Sequence, residues 1–205
     1  FMGIAVFLFV VSMPIISLVT QLNEQLTLPR QLADVESWMR NSERAAEAVT
    51  QKLLQGKDWL GFISNILLIG AFTAISEEFF FRGVLQRELE LWTKNGHVAV
   101  WLAAFIFSAI HLQFYGFFSR LILGALLGYL YLYTRSLWVP IVAHFFNNVF
   151  IVILYFVADS KVIDQLDNPK IDINLIIMAV VSTILSIGLI IGLKNFTAKK
   201  RINEF

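Results

Sequence analysis

The chain has 205 residues, of which 58% are hydrophobic and only 15% are charged, and its mean hydropathy is +0.71. Because an average soluble domain carries roughly 25% charged residues, this composition excludes a soluble globular protein and a disordered tail. The formal net charge of +1 provides no field for polyanions, so a nucleic-acid partner is also excluded. Without cysteine the chain has no disulfide, no thiolate metal site and no cysteine nucleophile. The sequence therefore predicts an integral membrane protein embedded in the lipid bilayer.

Uncharged runs mark the places where the chain crosses the bilayer. A helix needs roughly 20 apolar residues to cross about 30 Å of hydrocarbon. The predicted fold class is all-α, a polytopic transmembrane helix bundle with six spans. The six runs are residues 1–23, 59–76, 95–119, 121–134, 136–158 and 173–193. The fourth has only 14 residues, so Arg120 and Arg135 are expected to reach the interfaces at its ends. Because Phe1 precedes Met2, we expect further N-terminal helices ahead of the first run.

A polar segment, residues 31–56, separates the first two spans. It carries charges of both signs and spaces its apolar residues, such as Trp38 and Leu53, as a helix does. This pattern predicts an amphipathic helix on the membrane surface, with a solvated helical hairpin as the alternative. The predicted division of the chain is an N-terminal span (1–23), a polar surface segment (24–58), a helical core (59–158), and a final span with a basic tail (159–205).

Two pairs of glycines lie four residues apart within apolar runs: Gly124 with Gly128, and Gly188 with Gly192. Small residues at this spacing let helix backbones approach closely in lipid. We therefore predict that both pairs pack helices within the bundle, with homodimerisation, in which a second copy is the helix-packing partner, as the alternative.

Ionisable side chains inside a bilayer are costly, so each one suggests a function. The second span runs into Glu77 and Glu78, and apolar character then resumes as far as Trp92. This predicts one long helix with two carboxylates near its middle. Glu78 and Arg82 are four residues apart and are expected to pair across one helical turn. Glu77 projects about 100° away and has no local partner, which suits a general base; a purely structural ion-pair network is the alternative.

Three more polar side chains lie in apolar helices: His111 on the third span, and His144 and Asn148 one turn apart on the fifth. Glu77 and His111 each lie 17 residues from Lys94, which is in the turn between their helices. The two should therefore sit at one depth, about 25 Å from that turn. His144 and Asn148 fit this register less well because their own helix starts only a few residues earlier.

Taken in order, these three motifs resemble those of the CAAX protease and bacteriocin-processing (CPBP, or Abi) family of intramembrane peptidases. The motif residues are Glu77-Glu78-xxx-Arg82, Phe107-xxx-His111 and His144-xxx-Asn148. The resemblance implies a helical bundle with an intramembrane active-site cavity. It also implies an endopeptidase that cleaves a membrane-associated protein or peptide, and the expected location is a bacterial inner membrane.

The resemblance also implies a role for each motif residue. Glu77 would activate a water molecule, which His111 would position. His144 and Asn148 would line the pocket that stabilises the oxyanion. Donors aimed at a developing oxyanion are what amide hydrolysis requires, so these residue types suit the chemistry.

The metal requirement is open at this stage. Glu77, His111 and His144 form a two-histidine, one-carboxylate set of the kind that binds catalytic zinc. If Glu77 is the base, no cofactor is required, and Glu78 with Arg82 is only a supporting pair. We favour this metal-free interpretation, with zinc as the possible alternative.

Two other functions fit the same sequence less well. A non-catalytic membrane adaptor or bacteriocin-immunity protein of the same fold would use residues 31–56 and the Gly124/Gly128 pair as docking faces. A proton-coupled carrier could use Glu77 and His111 as a relay, but the six spans show no internal repeat.

Overall fold

The computed structural model describes residues 1–54, 56–159 and 171–203, and within them it contains helices and no β-strand. Short 3₁₀ turns lie at Arg30–Leu32 and Phe114–Gly116. The helices in chain order are α1 (Met2–Glu24), α2 (Ala33–Leu54), α3 (Trp59–Thr93), α4 (Gly96–Ile110), α5 (Phe117–Thr134), α6 (Trp138–Val157) and α7 (Ile173–Asn203). The predicted all-α bundle is confirmed, and the division into four segments stays a prediction.

Five of these helices, all except α2 and α4, are long and apolar enough to cross a membrane, while α4 is a shorter apolar helix. The chain is thus an integral membrane protein. The predicted third span, residues 95–119, is wrong, because α4 ends at Ile110 and the chain turns back before Phe117. The turn uses uncharged residues, among them Leu112 at a φ of 53°, so an absence of charge could not locate it. Arg120 consequently lies inside the first turns of α5 and not at the end of a 14-residue span.

The helix that carries the carboxylate pair is continuous, as predicted. Asp58 caps α3 by accepting a hydrogen bond from the backbone N–H of Gly61 at 2.8 Å. The helix ends at Thr93, where Lys94 adopts a left-handed φ of 53°. Two stretches of α3, Ile66–Phe72 and Phe79–Gln86, are wound as wider π-helix. The carboxylates therefore lie between two widened stretches, a feature that is frequent at functional sites.

The polar segment forms one continuous helix, α2, so the helical-hairpin alternative is wrong. Near its start, the Trp38 ring packs on Phe114 with 5.1 Å between centroids. At its end, the Asn65 side chain of α3 donates to the carbonyl of Leu53 at 2.8 Å. The helix therefore crosses the turn between α4 and α5 and ends beside α3. Its location on a membrane surface stays a prediction.

The two glycine pairs behave differently. A Cβ atom at Gly124 would lie 3.2 Å from the Cβ atom of Ala104, and one at Gly128 would lie 3.0 Å from a valine of α4. This pair packs α5 on α4 as predicted, and the alternative in which it forms a docking face is wrong. A Cβ atom at Gly188 or Gly192 would meet nothing within 4 Å in the described chain. The prediction that this second pair packs within the bundle is therefore wrong.

Candidate active site

Glu78 is the buried centre of the motif residues. Its side chain is fully buried, and Oε1 accepts hydrogen bonds from Arg82 Nη1 and His144 Nδ1, both at 2.8 Å. The pairing of Glu78 with Arg82, which the four-residue spacing predicted, is confirmed. Because an ionised carboxylate can only accept, the proton of the shared hydrogen bond belongs to Nδ1 of His144. Glu78 thereby fixes both the orientation of this imidazole and the nitrogen that carries hydrogen.

The Arg82 guanidinium also ties α3 to α5. Its Nη2 donates to the carbonyl of Gly124 at 2.9 Å, and one turn later Gln86 Nε2 donates to the carbonyl of Gly128 at 3.0 Å. Both donors are buried. Sequence reasoning missed Gln86 and assigned the glycines to packing alone. The available signal was that Gln86 follows Arg82 by one helical turn, so both project from one face.

Glu77 lies on the more open side of His144, with its side chain 25% exposed. Its Oε2 is 3.8 Å from His144 Nε2. This distance is too long for a direct hydrogen bond, but a water molecule between the two atoms can bond to both. The imidazole of His144 therefore lies between two carboxylates, one at each ring nitrogen. The predicted convergence of Glu77 and His144 is present in the structure.

His111 stands at the end of α4, one aromatic ring away from His144. Its Nδ1 lies 2.6 Å from the carbonyl oxygen of Phe107. The Phe107 ring is 4.9 Å from the His111 ring and 6.3 Å from the His144 ring, between centroids. Within the described residues His111 makes a hydrogen bond and a ring contact with Phe107 and no ion pair with Glu77. Whether His111 and Glu77 act on one water molecule stays a prediction.

Asn148 is held against the first widened stretch of α3. Its Nδ2 donates to the carbonyl of Ile69 at 2.9 Å, and its Oδ1 accepts from Asn147 Nδ2 at 3.0 Å. The two helices can approach this closely because residue 70 is glycine: a Cβ atom there would lie 2.7 Å from Val149. One N–H of the Asn148 amide remains for another acceptor. Asn147 and Gly70 were not predicted; a glycine within an apolar span was the available signal.

The start of α6 explains how His144 reaches the carboxylates. A Cβ atom at Gly83 would lie 3.4 Å from a methyl group of Leu137, the residue before α6. The helix therefore begins beside Gly83, well before α3 ends at Thr93. Beyond that point, Arg135 makes two hydrogen bonds of 2.6 Å to Glu90. The sequence-based register placed the start of α6 level with the end of α3, which left His144 too far from the level of Glu77. The earlier start of α6 beside Gly83 brings the two residues to the same level.

The residues of the predicted zinc set do not form a metal site as they stand. Glu77 and His144 lie close together, but His111 contacts Phe107 instead of either of them. Among the described residues, no group of three or more His, Cys, Asp or Glu side chains is arranged to hold a metal ion. We therefore derive no step through a metal, and zinc binding stays a prediction.

The predicted intramembrane cavity at the motif residues also stays a prediction. A cavity of about 570 Å³ lies beneath α2 at the start of α5, and none of the seven motif residues lines it.

Comparison with known proteins supports the resemblance that the motifs carry. Residues 59–150 match the family model described as type II CAAX prenyl endopeptidase, Rce1-like. This segment is therefore similar to the CPBP family that the motifs resemble. The matched segment contains the Glu78–Arg82 pair, His111, His144 and Asn148.

One curated relative is the uncharacterized protein YpbD of Bacillus subtilis (strain 168), which is 34% identical over 87 residues. The alignment covers 40% of this chain and 41% of the relative, so the chain matches less than half of that protein. No solved structure matches the chain.

Proposed function

We propose that this chain is an intramembrane endopeptidase that hydrolyses a peptide bond of a membrane-associated protein or peptide. The observation that supports this most is the His144 imidazole held between Glu78 at 2.8 Å and Glu77 at 3.8 Å. A purely structural ion pair requires only Glu78 and Arg82. The second carboxylate, that of Glu77, is partly exposed, and it can act as the base that activates water. The similarity of residues 59–150 to the Rce1-like endopeptidase model supports the same reaction class.

In the proposed reaction, Glu77 takes a proton from a water molecule whose oxygen attacks the carbonyl carbon of the substrate. The tetrahedral oxyanion accepts hydrogen bonds from His144 and from the second N–H of the Asn148 amide. The C–N bond then breaks, and Glu77 returns the proton to the leaving nitrogen. A carboxyl group and an amine are formed, and no other reactant is consumed. In this scheme His111 helps to position the water.

The hydrogen bond to Glu78 sets a condition on this scheme. Because Nδ1 of His144 already donates to Glu78, Nε2 can donate to an oxyanion only when the imidazole is protonated. The Glu78 carboxylate lies at Nδ1, and the Glu77 carboxylate is 3.8 Å from Nε2. Glu78 thus acts as a positioning residue that turns Nε2 toward the reacting carbonyl.

Replacing Glu77 by Gln tests the proposal. Removing a general base costs about 10² to 10⁴ in rate, so Glu77→Gln should abolish detectable cleavage. Glu88→Gln is the matched control, because Glu88 is an exposed carboxylate on the same helix. Membranes from cells producing the wild type or either variant are compared by quantitative mass spectrometry for new N-termini in membrane proteins. The purified variants are also compared for thermal stability.

Cleavage products that disappear with Glu77→Gln and persist with Glu88→Gln support the proposal. Products that persist in the folded Glu77→Gln variant overturn it. A cellular phenotype that survives this change would favour the non-catalytic adaptor.

A further inference from the structure

The cavity of about 570 Å³ lies between the adjacent ends of two helices that are long and apolar enough to cross a membrane. Thr20 and Glu24 line it from the last turns of α1, and Gly116 and Arg120 line it from the start of α5. The two helix ends are held level by Asn23, whose side chain donates to the carbonyl of Phe114 at 2.8 Å. The polar face of α2 forms the opposite wall. Because apolar spans give way to charged residues at the depth of lipid head groups, we expect the cavity to lie at that depth.

Two arginines of this cavity have hydrogen-bonding capacity to spare. Arg44 has no hydrogen bond or ion pair within the described part of the chain, and it lines the cavity from α2. Arg120 donates to the carbonyl of Gln113 at 2.8 Å, but its Nε is buried without a partner. Its nearest carboxylate, Glu43, is 3.9 Å away. The N–H groups of an arginine guanidinium can donate two parallel hydrogen bonds to the oxygens of a phosphate. A guanidinium without a partner beside a cavity therefore favours phosphate binding.

Arg40, the third arginine of the cavity, is already occupied. Its Nε and Nη2 both donate to Glu36 Oε1, at 3.1 and 2.8 Å, and its guanidinium stacks 4.4 Å over the Tyr115 ring. The spare positive charge is therefore confined to Arg44 and Arg120.

Carboxylates line the same cavity, which argues against a simple anion site. Glu47 follows Glu43 by one turn of α2 and makes no hydrogen bond in the described chain. Glu43 accepts from the backbone N–H of Tyr115 at 3.1 Å. Burial raises the pKa of Glu43, and the nearby charge of Glu47 adds to this effect. A positively charged group in the cavity would offset both the cost of burying the Glu43 carboxylate and its repulsion by Glu47.

We propose that this cavity binds the zwitterionic head group of a phospholipid with a primary ammonium, such as phosphatidylethanolamine. The phosphate would lie against Arg44 and Arg120, and the ammonium against Glu47 and Glu43. A head group with phosphate alone leaves the carboxylates without a counter-charge. A quaternary ammonium has no N–H to donate to them. The inference is independent of the proposed peptidase activity.

The test is native mass spectrometry of the full-length chain, released from nanodiscs containing equal amounts of phosphatidylethanolamine, phosphatidylglycerol and phosphatidylcholine. The wild type should retain phosphatidylethanolamine at least about tenfold over the other two, since charge-assisted hydrogen bonds carry the selectivity. The double variant Arg44→Gln/Glu47→Gln keeps the net charge and should lose this preference. The matched control is Asp34→Asn/Lys52→Gln, a charge-neutral exchange of two exposed residues of α2 outside the cavity.

A second variant tests geometry without removing charge. A Cβ atom at Gly116 would lie 2.6 Å from Nη1 and Nη2 of Arg120, so Gly116→Ala must displace the guanidinium. It should lose the preference as the double variant does.

Equal retention of phosphatidylglycerol overturns the zwitterion assignment. Retention that does not change in the cavity variants overturns the site. Competition by soluble glycerophosphoethanolamine at the same concentration as the lipid would assign the cavity to a soluble ligand and overturn the lipid proposal.

Discussion

Two regions of this molecule use charged side chains in different ways. In the middle of α3, Glu78 and Arg82 are buried and joined at 2.8 Å. Beneath α2, Arg120 and Glu43 are 3.9 Å apart in an open cavity, and Arg44 has no partner in the described chain. A dry ion pair is intolerant of losing one member, whereas a loosely paired or exposed charge contributes little to stability and remains available to a ligand.

The largest effect on stability should come from breaking the buried pair. Glu78→Ala leaves the Arg82 guanidinium buried without its carboxylate and should reduce the free energy of unfolding by about 3–5 kcal/mol. The same change at exposed Glu47 should alter it by no more than about 0.5 kcal/mol. Reversible unfolding in detergent micelles measures both values. Equal values for the two variants would contradict the distinction between the regions.

A smaller effect is expected where α5 packs on α4. Gly124→Ala places a methyl group 3.2 Å from the Ala104 Cβ atom and 3.3 Å from the Phe107 ring, and should cost about 1–3 kcal/mol. Gly188→Ala has open space around it and should stabilise α7 by about 0.5–1 kcal/mol, as alanine favours a helix over glycine. Thermal unfolding of the two variants checks the difference in sign. Destabilisation by Gly188→Ala would show that its open face is covered by a partner.

The smallest effect should be a pH dependence of α2, where two carboxylates act in opposite directions. Hydrogen bonding to Arg40 lowers the pKa of Glu36, so its stabilisation is present above the usual glutamate pKa of about 4.3 and disappears as pH falls below it. Burial raises the pKa of Glu43, so folding is favoured while Glu43 is protonated and weakens as pH rises above that value.

Amide hydrogen exchange of α2 measures these contributions. The pH range is about 3.5 to 7, which extends to both sides of the usual glutamate pKa. Exchange rates are compared after correction for their intrinsic pH dependence. Glu36→Gln should remove the loss of protection at the acid end, and Glu43→Gln should remove the loss on the alkaline side. The same pH profile in both variants would rule out this assignment.

The sequence was sufficient wherever a pattern repeats along one helix. Charge-free runs located five spans, and the four-residue spacing of Glu78 and Arg82 predicted their ion pair. The end of the long helix near Trp92 was also predicted, since it ends at Thr93. These features depend on local geometry, which is fixed by the 3.6-residue period.

Features that depend on how helices are staggered could not be predicted. The turn after Ile110 contains no charge, and the start of α6 beside Gly83 follows from packing between distant segments. The bond from Asn148 to Ile69 requires a widened helix and a glycine at position 70. Glu77 comes close to His144 because α6 starts beside Gly83. The order of the motifs predicted that these two residues lie together, but the sequence did not show where along α3 the helix α6 begins.

The two widened stretches of α3 have a consequence for how the length of this helix is encoded. A regular helix turns about 100° for each residue, and a π-helical turn takes in more residues than a regular one, so regular winding of Ile66–Phe72 or of Phe79–Gln86 with the same number of residues would lose the present alignment. The segments on either side would rotate against each other by a quarter of a revolution or more, turning a carboxylate away from its imidazole or an arginine away from its glycine carbonyl. Bilayer thickness alone thus does not set the number of residues in this span; its angular phase must also be kept.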